Sequence, residues 1–311
     1  MKSVRPAFTM MDHKKKAKSS ARKPGIKKML WIYTFLLPIF TVFIMFYLLP
    51  IVTVFITSFT RWDGFNKPQF VGFHNFVNLF SQPSFRISMW NLLKWGVLAA
   101  VVHVGLGVLV AFILYKAPKG AKLVRIVYMI PSVISVAAWA LIYKFIFNDQ
   151  FGVINSAIRL FYKDFSVNWF YESPYAFWSV TFVWLFYAVT VTLVVLSDLM
   201  AIPKELHEAA HVDGAKEWQI ATKINLPLCR HSIGTSVIVS ITARIAMYEA
   251  IALTTRGGPG DDTMNISVIL VNAITDMNYG FANAAALVMF LLGIIVLLVI
   301  NRLFRMEESN W

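Results

Sequence analysis

Six stretches of this 311-residue chain are apolar for long enough to cross a hydrocarbon layer. Crossing a layer about 30 Å thick takes roughly 20 helical residues. The stretches run near 29–59, 89–114, 123–147, 174–199, 228–253 and 281–304. Backbone N–H and C=O groups find no water in hydrocarbon and must bond within the chain, so these segments can only be helices. The expected fold is therefore an all-α integral membrane protein with six transmembrane helices. Composition agrees, since 14% of the residues are charged and 58% hydrophobic, whereas soluble domains carry about a quarter charged residues. The first stretch is overlong, and Pro38 and Pro50 should kink it or carry its end past the lipid. It far exceeds the 7–15 residues of a signal-peptide core, so it reads as a retained span.

Charge placement sets the orientation. A net charge of +13 would suit nucleic acid in a soluble protein, but here the cations cluster at the ends of apolar segments. If the N-terminus is cytosolic, twenty of the 29 Lys and Arg fall inside: on the tail, on 115–125, on 200–230 and at the C-terminal end. Six fall outside (Arg61, Lys67, Arg86, Arg159, Lys163 and Arg256), and Lys94, Lys144 and Arg244 lie within the spans. Cytoplasmic loops of membrane proteins are rich in Lys and Arg, so both termini are expected in the cytosol. The resulting organisation is a basic tail (1–28), a first helix with its outer loop (29–88), a five-helix core (89–304) holding a cytosolic loop (202–227), and a second tail (305–311). The outer loops are too small to hold a substrate-binding domain. One cysteine, Cys229, excludes a disulfide framework within the chain. His207 and His211 are four apart but lack further ligands, so no metal site is expected.

The most informative segment is the cytosolic loop. Pro203 suits the first turn of a helix, where its missing N–H costs nothing. Leu206, Ala209, Ala210 and Asp213 recur at helical spacing, and the paired alanines make a smooth surface that another protein can approach. Asp213-Gly214 is a turn signal, so a second short helix is expected from near Ala215 until before Pro227. A helix–turn–helix outside the lipid makes a docking knob.

The run Glu208-Ala209-Ala210, Asp213-Gly214-Ala215, Ile224, Leu226-Pro227 resembles the EAA coupling motif of permease subunits in binding-protein-dependent ABC importers. The carbohydrate branch, which includes the maltose and glycerol-phosphate importers, is the one it resembles. Further landmarks of that branch occur in order: Ser58-Phe59 with Trp62, Phe70-Val71-Gly72 with Asn75, Pro131, Phe147-Asn148 with Phe151-Gly152 and Asn155, Asn168-Trp169, the Gly257–Gly260 run, and Tyr279-Gly280 with Ala282. The resemblance implies a type I importer permease in a bacterial cytoplasmic membrane. It implies a second homologous permease, two ATPase subunits carrying ATP and Mg, and an extracytoplasmic binding protein that delivers a carbohydrate. Glu208, Ala209, Ala210, Asp213, Gly214 and Ala215 would then form the contact with an ATPase. The chain has no G-x-x-x-x-G-K-[ST] phosphate loop, so no cofactor is expected on it. One departure is Ala221, where the family often has Phe; Trp218 and Ile220 are the candidates for that packing role.

Substrate-pathway candidates come from the fourth and fifth stretches. The fifth is rich in small and hydroxyl residues, which suit either close helix packing or a pathway lining. Arg244 favours the lining, because a charge in mid-span costs about 2.5 kcal/mol or more unless it faces a cavity or a partner. Ser240, Arg244 and Tyr248 are spaced to share one face of a continuous helix, and Glu249 is not. The resemblance aligns Tyr248 and Glu249 with a family aromatic–acidic pair, while Arg244 departs from the usual residue there. Arg244 either meets an anionic substrate group or pairs with an acid of the second permease. Trp184 and Tyr187 lie too deep for an interfacial belt and are either core or a sugar-stacking site. The rival reading is an ion-coupled secondary transporter, for which His103 and Glu249 are the ion-binding candidates.

Overall fold

The computed structural model describes residues 26–116 and 119–304. The basic tail through residue 25 and the tail 305–311 lie outside the described residues. The described residues form two compact units that divide after Ile51. The first holds α1 (Ile26–Phe43) and a π-helical turn, Ile44–Leu48, and the division falls inside the following α2 (Leu49–Thr57). Pro50 has no N–H to offer the ladder, and the wider π turn precedes it. Every described side chain from Met29 to Ile51 is exposed, as suits a helix that is apolar all round and meets lipid or another subunit.

After the end of α2, the second unit holds a short antiparallel ribbon, β1 (Thr60–Arg61) on β2 (Gln69–Phe70). It continues through α3 (His74–Ser81) and α4 (Pro83–Leu98), which runs through a π turn into α5 (Val104–Tyr115). Next come α6 (Ala121–Met129), a 3₁₀ turn (Ile130–Val133) and α7 (Val136–Ile146), with a bend of 103° between the arms. The short α8 (Val153–Arg159) precedes α9 (Tyr175–Leu185) and α10 (Val189–Ala201). The knob elements α11 (Lys204–Val212), α12 (Glu217–Ile220) and α13 (Leu226–Leu228) follow. The chain then forms α14 (Arg230–Ile245), α15 (Glu249–Ala252), α16 (Ile266–Thr275) and α17 (Tyr279–Phe304). Among the described residues four helical segments are long and apolar enough to cross a membrane, and the bent α6–α7 pair makes a fifth. The stretch expected at 228–253 does not run straight: α14 ends at Ile245.

Several sequence landmarks turn out to be joints. Asn75 Nδ2 donates to the carbonyls of Ser58 (2.9 Å) and Thr60 (2.8 Å), tying α3 to the end of α2. The Gly280 N–H donates to Trp62 O at 3.1 Å, and a Cβ at that position would lie 2.0 Å from Thr60 O. Only glycine permits that approach. Asn155 is fully buried; its amide donates to Asp149 O and Val167 O, and its carbonyl oxygen accepts from Trp169 Nε1 at 2.7 Å. The core between these joints is aromatic. Trp95 stacks on Phe177 with centroids 5.2 Å apart and donates to Thr181 Oγ1 at 2.9 Å. Lys94 is half-buried and sits over Phe177 at 4.0 Å. Cation–π attraction to an aromatic face compensates part of its lost hydration.

Candidate functional site

Three of the apolar helical segments are broken, and the breaks meet at one cavity of about 560 Å³. Segment α6–α7 bends at Ile134 and Ser135, α9–α10 is interrupted at 186–188, and α14–α15 at 246–248. Pro131, Ile134, Tyr187, Ala246, Met247 and Tyr248 all line the cavity. Irregular backbone at membrane depth is tolerated where protein buries it or a cavity solvates it, and transporters bind substrates at such discontinuities.

Side chains from neighbouring elements take up the carbonyls that the breaks release. Trp139 Nε1 donates to Val183 O at 2.7 Å. His103 Nδ1 lies 3.0 Å from Leu185 O; a carbonyl can only accept, so Nδ1 carries the proton. Asn265 Nδ2 donates to Arg244 O at 2.9 Å, and Ser267 Oγ to Met247 O at 2.9 Å. Asn265 and Ser267 stand on either side of the first residue of α16, and Asn265 Oδ1 also accepts from the Ser267 N–H at 3.1 Å. Asn265 is fully buried.

All six expected pathway residues border this cavity: Arg244, Tyr248, Glu249, Ser240, Trp184 and Tyr187. The route to that outcome differs from the expectation. Because α14 stops at Ile245, Tyr248 does not continue the Ser240–Arg244 face. The break turns both Tyr248 and Glu249 into the cavity, so Glu249 joins residues that a straight helix would have kept apart. No ion pair joins Arg244 and Glu249 among the described residues. The Arg244 guanidinium instead lies over the Trp184 ring at 4.1 Å, and Trp184 meets His103 edge-on at 5.8 Å. Arg244 Nε and Nη1 and Trp184 Nε1 are buried without a hydrogen-bond partner. A desolvated cation–π pair is worth about 2 kcal/mol, while placing an Arg in mid-span costs about 2.5–3.5 kcal/mol. The ring therefore offsets only part of the cost.

His103, Trp139, Asn265 and Ser267 were not among the expected pathway residues. Asn265 carried a readable signal: an Asn two residues before Ser at the start of an apolar run is an N-cap pattern. What it holds in place lies 21 residues earlier and could not be read.

The second expected site, the knob, protrudes. The 202–227 loop forms α11 and then a turn in which the Gly214 N–H bonds His211 O (3.0 Å) and the Ala215 N–H bonds Ala210 O (2.9 Å). These two bonds define a Schellman stop, which needs a left-handed residue, and Gly214 has φ +78°. A Cβ there would meet nothing within 4 Å, so this face of the turn is open. Glu208, Ala209, Asp213 and Gly214 are exposed, and Ala210 and Ala215 are half-buried. The second helix begins at Glu217, with the Lys216 N–H bonding Gln219 Oε1 at 2.7 Å. It does not stop before Pro227: a π turn, Ala221–Asn225, leads directly into α13. Ile220 packs inward, while Trp218 is 60% exposed, so Ile220 fills the packing role left open by Ala221. The knob is held by His207 Nε2 to Asn225 Oδ1 at 2.7 Å, and by Glu217 to Lys116 at 3.2 Å and to His211 at 3.5 Å. His207 and His211 are thus engaged in holding the knob.

Residues 103–307 match the family described as binding-protein-dependent transport system inner membrane component. The multiple sugar-binding transport system permease protein MsmF of Streptococcus mutans is 30% identical over 283 residues, 89% of this chain and 97% of that protein. The trehalose/maltose transport system permease protein MalF of Thermococcus litoralis is 29% identical over 267 residues, 84% of this chain and 88% of that one. The fold is similar to that of a chain in a bacterial alginate ABC transporter solved with an alginate-pentasaccharide-bound periplasmic protein. That likeness has a TM-score of 0.78 at 23% identity, covering 91% of this chain and 97% of the other. With its permease-wide likeness and its family match across all three broken segments and the knob, this chain belongs to the inner membrane components of binding-protein-dependent transport systems.

Proposed function

We propose that this chain is the transmembrane subunit of an ATP-driven importer that moves a carbohydrate into a bacterial cell. The observation that carries the reading is the way knob and cavity are joined. Helix α10 borders the cavity through Thr190, Val191 and Val194, and ends two residues before α11 begins. Helix α14 follows α13 after one residue and reaches the cavity through Thr235, Ser240 and Arg244. Two stiff helices, packed against each other, therefore run from the knob to one chamber. A push on the knob tilts them and alters the chamber.

In this reading Glu208, Ala209, Ala210, Asp213, Gly214 and Ala215 contact an ATPase subunit, and ATP and Mg reside there. The chain makes six spans with both termini in the cytosol, α14–α15 supplying the interrupted fifth. A second homologous permease completes the path, and an extracytoplasmic binding protein delivers the sugar. The names of relatives handling several sugars, or trehalose and maltose, support the carbohydrate. Aromatic faces such as those of Trp184 and Tyr187 suit the C–H surface of a sugar ring, which is apolar. The test is uptake by proteoliposomes holding the whole complex, with ATP supplied to the ATPase side. Accumulation should need both ATP and the knob. If replacing 204–213 by a flexible linker leaves ATP-dependent accumulation intact, the reading is wrong.

A further inference from the structure

The cavity holds a chemical imbalance. Arg244 Nε and Nη1 and Trp184 Nε1 are buried without acceptors, although the two side chains are stacked at 4.1 Å. Guanidinium and indole nitrogens only donate, so neither group can satisfy the other. The lining offers one carboxylate, Glu249, which is exposed and forms no ion pair with Arg244 among the described residues. Of the other titratable residues in the lining, His103, Tyr187 and Tyr248, His103 has its Nδ1–H committed to Leu185 O. The Arg244 carbonyl is held by Asn265, which fixes the base of the side chain while leaving its head free to turn.

We propose that Arg244 and Trp184 form an anion-selective subsite, and that the transported sugar carries a carboxylate, sulfate or sulfonate group that docks on the guanidinium. This rests on the cavity being the translocation chamber argued above. The Arg–Trp stack is the resting arrangement. An entering acid group supplies the missing acceptor, and the indole face is released to the ring of the sugar. A charge-assisted hydrogen bond is shorter and about twice as strong as a neutral one, so the acid group sets which sugars are held.

The test uses the complete complex purified in detergent and locked in its ATP-bound state. Digalacturonate and its neutral counterpart, galactobiose, are compared by saturation-transfer NMR. The acidic disaccharide should bind at least about tenfold more tightly, the ratio that one charge-assisted hydrogen bond supplies. Arg244→Gln should erase the preference, and Arg244→Lys should keep part of it; co-purification of the ATPase subunits reports that each variant is folded. Equal binding of the two sugars, binding of neither, or a preference that survives Arg244→Gln would overturn the inference. So would dissociation of the two permeases in Arg244→Gln, which would place an acid of the second permease on the guanidinium. ATP-driven uptake of a neutral sugar, indifferent to Arg244→Gln, would overturn this subsite and leave the import reading standing. Absence of ATP-driven uptake of any sugar would strike the import reading itself.

Discussion

Asn265 donates its side-chain amide to the backbone carbonyl of Arg244 at 2.9 Å, across 21 residues of sequence. That carbonyl lies where α14 ends and otherwise has only the Met247 N–H, at 3.3 Å, while an under-bonded carbonyl in hydrocarbon is costly. With Ser267, which bonds Met247 O, Asn265 supports the break between α14 and α15 that aims Arg244, Tyr248 and Glu249 at one chamber.

Replacing Asn265 by Ala should leave the Arg244 carbonyl with only the long Met247 N–H bond at 3.3 Å and should strip the cap from the α16 N-terminus. The expected loss is about 1–3 kcal/mol of stability, seen as a melting temperature lower by several degrees for the purified complex. Asn265→Asp should not rescue it, because a carboxylate has no amide to donate. An unchanged melting temperature in both variants would refute the role assigned to this bond.

Gly214 occupies a left-handed position that costs other L-residues about 1–2 kcal/mol. Stability and binding-protein-stimulated ATP hydrolysis should therefore fall in the order Gly, Asn, Val, since Asn tolerates this region and a β-branched residue does not. Because a Cβ meets nothing in this chain, a loss greater for ATPase coupling than for stability marks a surface used by a partner. Equal activity of Gly214→Val and the parent protein would remove Gly214 from the contact.

Asn225 is 5% exposed and accepts from His207 Nε2 at 2.7 Å, so it clamps α11 onto the π turn behind it. Asn225→Leu should raise amide exchange across 204–213 roughly tenfold, as the lost bond and the stranded imidazole together are worth about 1–2 kcal/mol. Glu217→Gln should do far less, because both partners of its ion pairs are exposed and such pairs contribute about 0–1 kcal/mol. Hydrogen exchange with mass spectrometry reads both. Equal protection in the parent and Asn225→Leu would show that the clamp is idle.

Ala243 lines the cavity and is exposed, whereas Leu291 is exposed on α17 away from it. With Cys229 replaced by Ala, a cysteine at 243 should react with a charged methanethiosulfonate reagent, and one at 291 should not. Charged reagents reach thiols in water and not in hydrocarbon. Equal labelling of both sites, or labelling of 291 alone, would mean that the chamber is not the aqueous one.

Gly280 faces Thr60 O so closely that Gly280→Ala must push β1 away or break the Gly280–Trp62 bond. A loss of about 2 kcal/mol or more is expected, read as reduced yield and a lower melting temperature of the complex. A fully stable Gly280→Ala would show that this joint is loose.

Much of the architecture could be read directly. Long apolar runs such as that ending in α17 fix their state alone, because hydrocarbon leaves the backbone no partner but itself. The knob was equally readable, since Pro203, the paired alanines and Asp213-Gly214 act through near neighbours. Its second helix was misjudged at Pro227, because a π turn before the proline absorbs the missing bond and lets the chain continue. The expected shared face of Ser240, Arg244 and Tyr248 failed for a related reason: it assumed an unbroken helix, and the break is stabilised from outside it.

The local chemistry of the sequence thus determined which segments are helical and apolar, where the knob turns, and which side chains are costly in mid-span. Each of these depends on residues within a turn or two of one another. The tertiary structure alone decided that three apolar helical segments break, and that the breaks share a chamber. At two of the three, a donor from elsewhere in the chain (Trp139 and His103 after α9, Asn265 and Ser267 after α14) reaches a carbonyl beside the gap, and such long-range pairing leaves no periodic trace in the sequence.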